Sequence, residues 1–302
     1  MNTGLLDGKV AIVTGSGRGI GRAHALELAA QGAAVVVNDA GVSVSGDERS
    51  SEPAQAVVDE IRASGGSAVA AIGSVTSPDD CAQTVAIALR EFGRLDILVN
   101  NAGILRNAPL VDTSLEDFDA VLSVHLRGTF LMIREAARYW SARPGTARRV
   151  INTTSSTGML GEPGQSGYAA AKAGILGLTM TAAKELGEFG ATCNAISPVA
   201  ITRMTEQFVP AWGGAPGEDY SPFDPRNASP VVAYLASDGA GWLNGQVLRV
   251  EGNCVIRMTG WARGPRWEGR KGEFLTASDL AVALPQLYGT FPAPMLSDPG
   301  SR

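Results

Sequence analysis

Cysteine is scarce in this chain, aromatic residues are few, and charge of either sign is thin. Three cysteines occur in 302 residues, Cys81, Cys193 and Cys254, with no Cys-x-x-Cys pair and no Cys/His cluster. That excludes a disulfide framework and a Cys/His zinc site, so no metal is expected. The three read as buried small hydrophobes. Charged residues make up only 18% and the net charge is −5, with no Lys/Arg-rich run. A partner of nucleic-acid type would need a basic face, and none is legible. No segment approaches the ~18 uninterrupted apolar residues of a membrane span. Met1 to Gly8 lacks a basic stretch followed by an apolar run, so it does not read as a signal peptide. The expectation is a cytoplasmic protein with neither a nucleic-acid nor a membrane partner.

What is present is apolar residues at 45% and glycine at 37 residues. The first is the profile of a packed globule. The second suits many tight strand-to-helix turns, where a Cβ would collide. Short apolar runs alternate with helical patterns. Lys9–Thr14, Ala33–Asn38, Ala68–Ile72, Leu95–Val99, Arg149–Thr154, Ala191–Ile196 and Gln246–Val250 read as strands. Continuous β-branched runs imply strands covered on both faces. The fold class is therefore α/β, a doubly wound parallel sheet of Rossmann type with about seven strands. A first helix is predicted over Arg18–Gln31, with Ala23, Leu26, Ala29 and Ala30 inward, and a second over Pro53–Ser64. A long one starts near a capping box at Ser114 and Asp117 and runs towards Ala142. Another runs from Ser166 to Glu188, and its small apolar face (Ala169, Ala173, Leu176, Met180, Ala183) suits packing either within one subunit or in a homodimer or homotetramer. Gly41–Glu52 reads as a surface loop, and the proline-rich stretch 203–230 as an irregular substrate lid. Residues 1–255 form one nucleotide-binding domain. Residues 256–302 form an extension, packed on that domain or on a neighbouring subunit.

Thr14-Gly15-Ser16-Gly17-Arg18-Gly19-Ile20-Gly21 lies between the first strand and the first helix. A tight turn there brings backbone N–H groups and a positive helix end towards a pyrophosphate. The position after a strand and before a helix is what gives a glycine motif meaning. Asp39 ends the second strand, 18 residues after Gly21. A carboxylate there binds adenosine ribose hydroxyls and repels a 2′-phosphate, which favours NAD over NADP. Arg18 is the residue that would offset this repulsion.

Tyr168 and Lys172 stand four residues apart on a predicted helix and share one face. Ser155 ends the preceding strand. This set suits hydride transfer at a carbinol carbon, because a phenolate can take the hydroxyl proton once its pKa falls from ~10 towards neutrality. An ammonium at ~4 Å supplies about the 4 kcal/mol that such a fall requires, at an effective dielectric near 20. Ser155 would orient the substrate oxygen.

These motifs together, TGSGRGIG, NNAG (Asn100–Gly103) and Ser155 with YAAAK (Tyr168–Lys172), resemble the short-chain dehydrogenase/reductase family over about residues 8–255. The resemblance implies that Asn101, Ala102 and Gly103 line the cofactor, that Ser74 and Val75 flank the adenine, and that Pro198 to Thr202 hold the nicotinamide amide. The chain departs from the family in three places: His125 for the usual Asn of a proton relay, Val199 for the Gly after Pro198, and Ser74 for an Asp. His125 either serves such a relay or is a packed helix residue. VHLRGTF, NNAGILR and GPRWEG are similar to the (3R)-hydroxyacyl-CoA dehydrogenase part of peroxisomal multifunctional enzymes type 2 and to stand-alone bacterial relatives.

The leading functional reading is an NAD-dependent dehydrogenase of a small-molecule secondary alcohol, a 3-hydroxyacyl thioester or a steroid intermediate. The alternatives are an NADPH-dependent 3-oxoacyl or other ketone reductase, a non-catalytic nucleotide sensor, and an interaction module built on the tail, with Trp261 and Trp267 as anchors.

Overall fold

The computed structural model describes residues 4–41, 50–143, 145, 147–201, 220–259, 265–268 and 276–288. The chain alternates β1 (Val10–Thr14), α1 (Gly19–Ala30), β2 (Ala34–Asp39), α2 (Glu52–Ala63), β3 (Ala68–Ile72), α3 (Pro78–Phe92) and β4 (Ile97–Asn100). There follow α4 (Leu115–Leu122), a π-helical turn (Ser123–Arg127), α5 (Gly128–Ser141), β5 (Arg148–Thr153), the short α6 (Thr157–Leu160) and α7 (Ser166–Glu185). Then come β6 (Ala191–Val199), α8 (Ser229–Ala236), β7 (Val247–Glu251), β8 (Cys254–Met258) and α9 (Ala277–Tyr288).

The strands form one sheet in the order β3-β2-β1-β4-β5-β6-β7-β8. Every pair is parallel except β7 with β8. The apolar runs of β1 explain why helices cover both faces. Ala11 and Val13 point into a core shared with Leu28 of α1, Val57 and Ile61 of α2 and Val232 of α8. Val10 and Ile12 point into the other, with Val85 of α3 and Met132, Ala136 and Trp140 of α5.

Seven strands match the apolar runs of the sequence; β8 is an eighth, reversed strand. The helix expected from Ser114 is continuous but changes pitch at the π-helical turn. At its start only half of the expected capping box forms: Ser114 Oγ accepts from Asp117 N–H at 3.0 Å as an N-cap, while the Asp117 carboxylate accepts from the Ser114 hydroxyl at 2.9 Å rather than from the Ser114 backbone N–H. Two expectations about burial need correction. Ala30 is exposed, because α1 turns Gly21, Ala25 and Leu28 inward instead. Cys81 and Cys193 are buried as expected, but Cys254 is exposed, because β8 lies at the sheet's edge. On α7, Ala183 is buried while Ala173 and Met180 are exposed.

The chain divides into two compact units, one through Met258 and one from Thr259. The first holds the whole sheet; the described part of the second includes α9. Most of the 41–52 loop and of the 203–230 stretch, like Trp261, lies outside the described residues. No described helix is long and apolar enough to cross a membrane.

Candidate active site

β1 and β4 are neighbours, and the chain leaves them towards opposite edges of the sheet. A crevice at their carboxyl ends follows from the topology alone. Thr14 closes its floor: its Oγ1 accepts the N–H groups of Asn101 at 3.0 Å and Ala102 at 3.1 Å. Asn101 in turn donates its side-chain amide to Thr14 O and Gly15 O, both at 3.0 Å, so it braces the glycine turn from below. Thr14 opens the glycine motif of the sequence, which gave it no role of its own. Its signal was a hydroxyl ending an otherwise apolar strand, one residue before Gly15.

The turn itself needs glycine. Gly15 has φ +61°, and a Cβ there would sit 2.7 Å from Ala102 Cα. α1 then begins at Gly19 with no side-chain cap from Arg18 and no acid in its first turn. Its leading N–H groups and positive end therefore face the crevice without a carboxylate over them. A turn held this tightly by glycine, set before an uncapped helix, fits a dinucleotide pyrophosphate. Ser16 is fully buried and donates its hydroxyl to Val13 O at 2.7 Å, so that hydroxyl serves the turn. Ile20 is partly buried and Arg18 exposed.

Asp39 lies beside this turn. Its carboxylate accepts from Gly17 N–H at 2.8 Å and from Gly41 N–H at 2.9 Å, which fixes its plane next to the loop. Buried Asn38 ties the ends of β2 and β3 by donating to Ala71 O and Gly73 O. That brings Ser74 and Val75 near Asp39. Ser74 N–H donates to Asp80 at 2.8 Å, and Val75 packs under Gly128. Of the last group, Pro198 stands near the end of β6, partly buried, opposite Val250. Thr202 lies outside the described residues.

Ser155, Tyr168 and Lys172 meet at the end of β5. Ser155 Oγ accepts from Thr157 N–H at 3.2 Å, which sets its rotamer, and hydrogen-bonds the Tyr168 phenol. Lys172 Nζ lies 5.5 Å from the Tyr168 ring centroid and donates to Thr153 O at 2.7 Å. Two contacts missed in the sequence lock α7 to this corner. Thr154 donates its hydroxyl to Lys172 O at 2.9 Å. A Cβ on Gly158 would lie 2.6 Å from Lys172 C and 2.7 Å from Lys172 Cβ, so α6 presses directly on the α7 backbone.

Burial governs the electrostatics here. It pushes the Tyr168 phenol up, against the pull of the Ser155 hydrogen bond. It brings the Lys172 amine down to about 7. The charge of one lysine is large enough to acidify the phenol by itself, as expected above, but desolvation of both groups works the other way. His125, at the centre of the π-helical turn, is 2% exposed and stands edge-on to Tyr168 with ring centroids 5.2 Å apart. Burial, and after it Lys172, push its imidazole down to about 3.

The family model for short chain dehydrogenases matches residues 9–211. The chain is 44% identical over 268 residues to hydroxyacyl-CoA dehydrogenase ChsB1 of Mycobacterium tuberculosis, covering 85% of this chain and 82% of that one. It is 42% identical over 255 residues to the 3-oxoacyl-[acyl-carrier-protein] reductase of Synechocystis, covering 83% and 98%. Against peroxisomal multifunctional enzyme type 2 of Drosophila melanogaster the identity is 42% over 90% of this chain, which spans only 42% of that enzyme. A crystal structure of a short chain dehydrogenase from Mycobacterium avium superposes with a TM-score of 0.84 at 44% identity, over 97% of this chain and 98% of that one. The chain belongs to the short-chain dehydrogenase family and is an NAD(P)-dependent oxidoreductase.

Proposed function

We propose that the chain oxidises the secondary alcohol of a 3-hydroxyacyl thioester with NAD, using Tyr168 as general base. The observation that carries the reading is the convergence of Ser155, Tyr168 and Lys172 at the carboxyl end of β5, beside the glycine turn. Ser155 holds the substrate hydroxyl, whose proton passes to the Tyr168 oxygen as the carbinol C–H bond breaks. Lys172 holds positive charge next to the phenolate that accepts this proton. When bound, oxidised nicotinamide supplies the hydride acceptor and a further positive charge. Asn101, Ala102 and Gly103 would line its path, with Pro198 towards its amide end and Ser74 and Val75 at the adenine.

The choice of NAD rests on Asp39, whose fixed carboxylate beside Gly17 suits ribose hydroxyls and repels a 2′-phosphate. The thioester substrate is supported by the mycobacterial relative, a hydroxyacyl-CoA dehydrogenase. A second reading, ketone reduction with NADPH, is favoured by the Synechocystis relative and by exposed Arg18 at the loop's mouth. Steady-state kinetics with (3R)-3-hydroxyacyl-CoA of several chain lengths, with NAD and with NADP, separates the two. Saturable oxidation with NAD, and a preference that collapses about tenfold or more in Asp39→Ala, supports the first. Inactivity at every chain length removes the substrate, and a preference for NADPH removes the role of Asp39. The apolar, partly open face of α7 supports a homodimer or homotetramer, which light scattering at micromolar concentration tests.

A further inference from the structure

The segment between β3 and α3 is gripped from two sides by side chains of opposite charge. Asp80 stands in the first turn of α3, where its own N–H is capped by Ser77 Oγ at 3.2 Å. Its carboxylate accepts from Ser74 N–H at 2.8 Å and lies against Gly73, where an added Cβ would come 2.9 Å from Asp80 Cβ. Arg127, the last residue of the π-helical turn, reaches in from the other side and donates through Nη1 to Thr76 O at 2.6 Å. Both bonds have one ionised partner, the kind that is shorter and about twice as strong as a neutral pair. Between the two grips is buried Val75, packed so closely that a Cβ on Gly128 would fall 2.6 Å from its Cγ2.

The polar atoms around Val75 are spent close by. Gly73 N–H donates to Asp39 O at 3.1 Å, and Gly73 O accepts from the Asn38 amide. The Ser74 hydroxyl accepts from Thr76 N–H at 3.2 Å, and Ser74 O accepts from Ser77 N–H at 3.1 Å. A base that meets this segment therefore reads the main chain of Val75, whose carbonyl is met by the Cys81 thiol at 3.4 Å, a weak donor. How well such an edge tells one base from another depends on how firmly it is held, because a loose peptide group turns to suit either a donor or an acceptor.

We infer that Asp80 and Arg127 act as one positioning pair: they fix the peptide groups on either side of Val75, so that its main chain takes adenine and rejects a base of the opposite hydrogen-bond pattern. The inference rests on the placement of the adenine at Ser74 and Val75 proposed above, and on no step of the reaction. It also gives the departure at Ser74 a counterpart, since the carboxylate on this peptide comes from α3 instead of from position 74.

Calorimetric titration of the full chain with ADP-ribose and with its hypoxanthine counterpart tests it, because hypoxanthine carries an N–H where adenine offers N1 as an acceptor. Wild-type protein is expected to favour the adenine form by about tenfold or more. Arg127→Met and Asp80→Ala should each weaken ADP-ribose about tenfold and leave the hypoxanthine form within about threefold, so that the preference collapses. Arg127→Lys and Asp80→Asn keep a donor and an acceptor in place and should retain most of it. Combining Asp80→Ala with Arg127→Met should cost less than the product of the two single losses, as for any two groups that hold one segment. Equal weakening of both nucleotides, with the preference kept, would make the pair a support of the loop's fold and overturn the inference while the adenine placement stands. Wild-type protein without a preference would remove the adenine from Val75 and overturn the inference together with that placement. Binding alone decides these outcomes, so an inactive enzyme would count against the proposed reaction only.

Discussion

Around β1 and β2 the site is built from backbone and from missing side chains, whereas around β5 and α7 it is built from buried polar side chains. In the first region Gly15 and Gly21 let main-chain segments pack closely, and Thr14, Asn101 and Asp39 spend their polar atoms on main-chain partners. In the second, a phenol, an amine and an imidazole are drawn out of water, and each has its pKa shifted by burial. Five buried side-chain atoms among the described residues lack a partner, and three of them, Asn100 Oδ1, His125 Nδ1 and Thr153 Oγ1, belong to β4, the π-helical turn and β5. Binding a nucleotide asks for shape and aligned dipoles, which cost little to keep. Moving a proton asks for groups held away from their solution pKa values, and the fold sustains them there.

The sharpest way to break this contrast is to remove one chemical group from the second region and watch the first. Tyr168→Phe is expected to lower turnover by about 10²–10⁴-fold while nucleotide affinity, followed by nicotinamide fluorescence, stays within about threefold. An equal loss of affinity would mean that the two regions are one. Gly21→Ala is the converse. Its Cβ would overlap Gly15 O and the Asn101 side chain, so nucleotide binding should weaken at least tenfold and stability should fall by about 1–3 kcal/mol in denaturant titration.

Smaller effects sharpen the electrostatic half. Lys172 titrates at about 7 in the folded chain against 10.5 as a free group. The unfolded chain therefore binds the extra proton between these values, and stability rises with pH across that window, by at most about 1.4 kcal/mol per unit. Lys172→Met should flatten the rise. His24 offers the same test at acid pH. It is buried in α1 with Nδ1 2.9 Å from Ser229 Oγ, and burial takes it from 6.5 to about 3. Its neutral form is the one that folds, so stability is lost as pH falls from 6.5 towards 3, and His24→Phe should make that loss shallower in urea titrations at successive pH values. The least effect is expected from Glu60→Ala, which removes an exposed ion pair between α2 and Arg22 of α1 and should cost less than about 1 kcal/mol in the same titrations.

The first region was more fully legible in the sequence than the second, for a physical reason. Glycines at fixed places after a strand, and an acid at the end of the next strand, leave a linear trace. Tyr168 and Lys172 leave one too, because four residues make one turn of helix. The contacts that hold them leave none: Gly158 against Lys172, Thr154 on its carbonyl, and His125 on Ile104 join positions far apart in the chain. The π-helical turn is invisible to apolar periodicity, which registers a single extra residue as noise. β8 escaped for a related reason: four of its five residues are exposed, so it lacks the buried run by which the other strands were read.

The clamp formed by Thr154 and Gly158 on Lys172 has a mechanical consequence. Ser155 sits within the same few residues that grip α7, so the serine and the lysine are tied to one corner of the fold. A substrate entering the crevice can displace other walls without altering the distance between them. The entrance and the corner are thereby decoupled: evolution can reshape the one for longer or bulkier substrates while the corner that holds Ser155 and Lys172 keeps its dimensions.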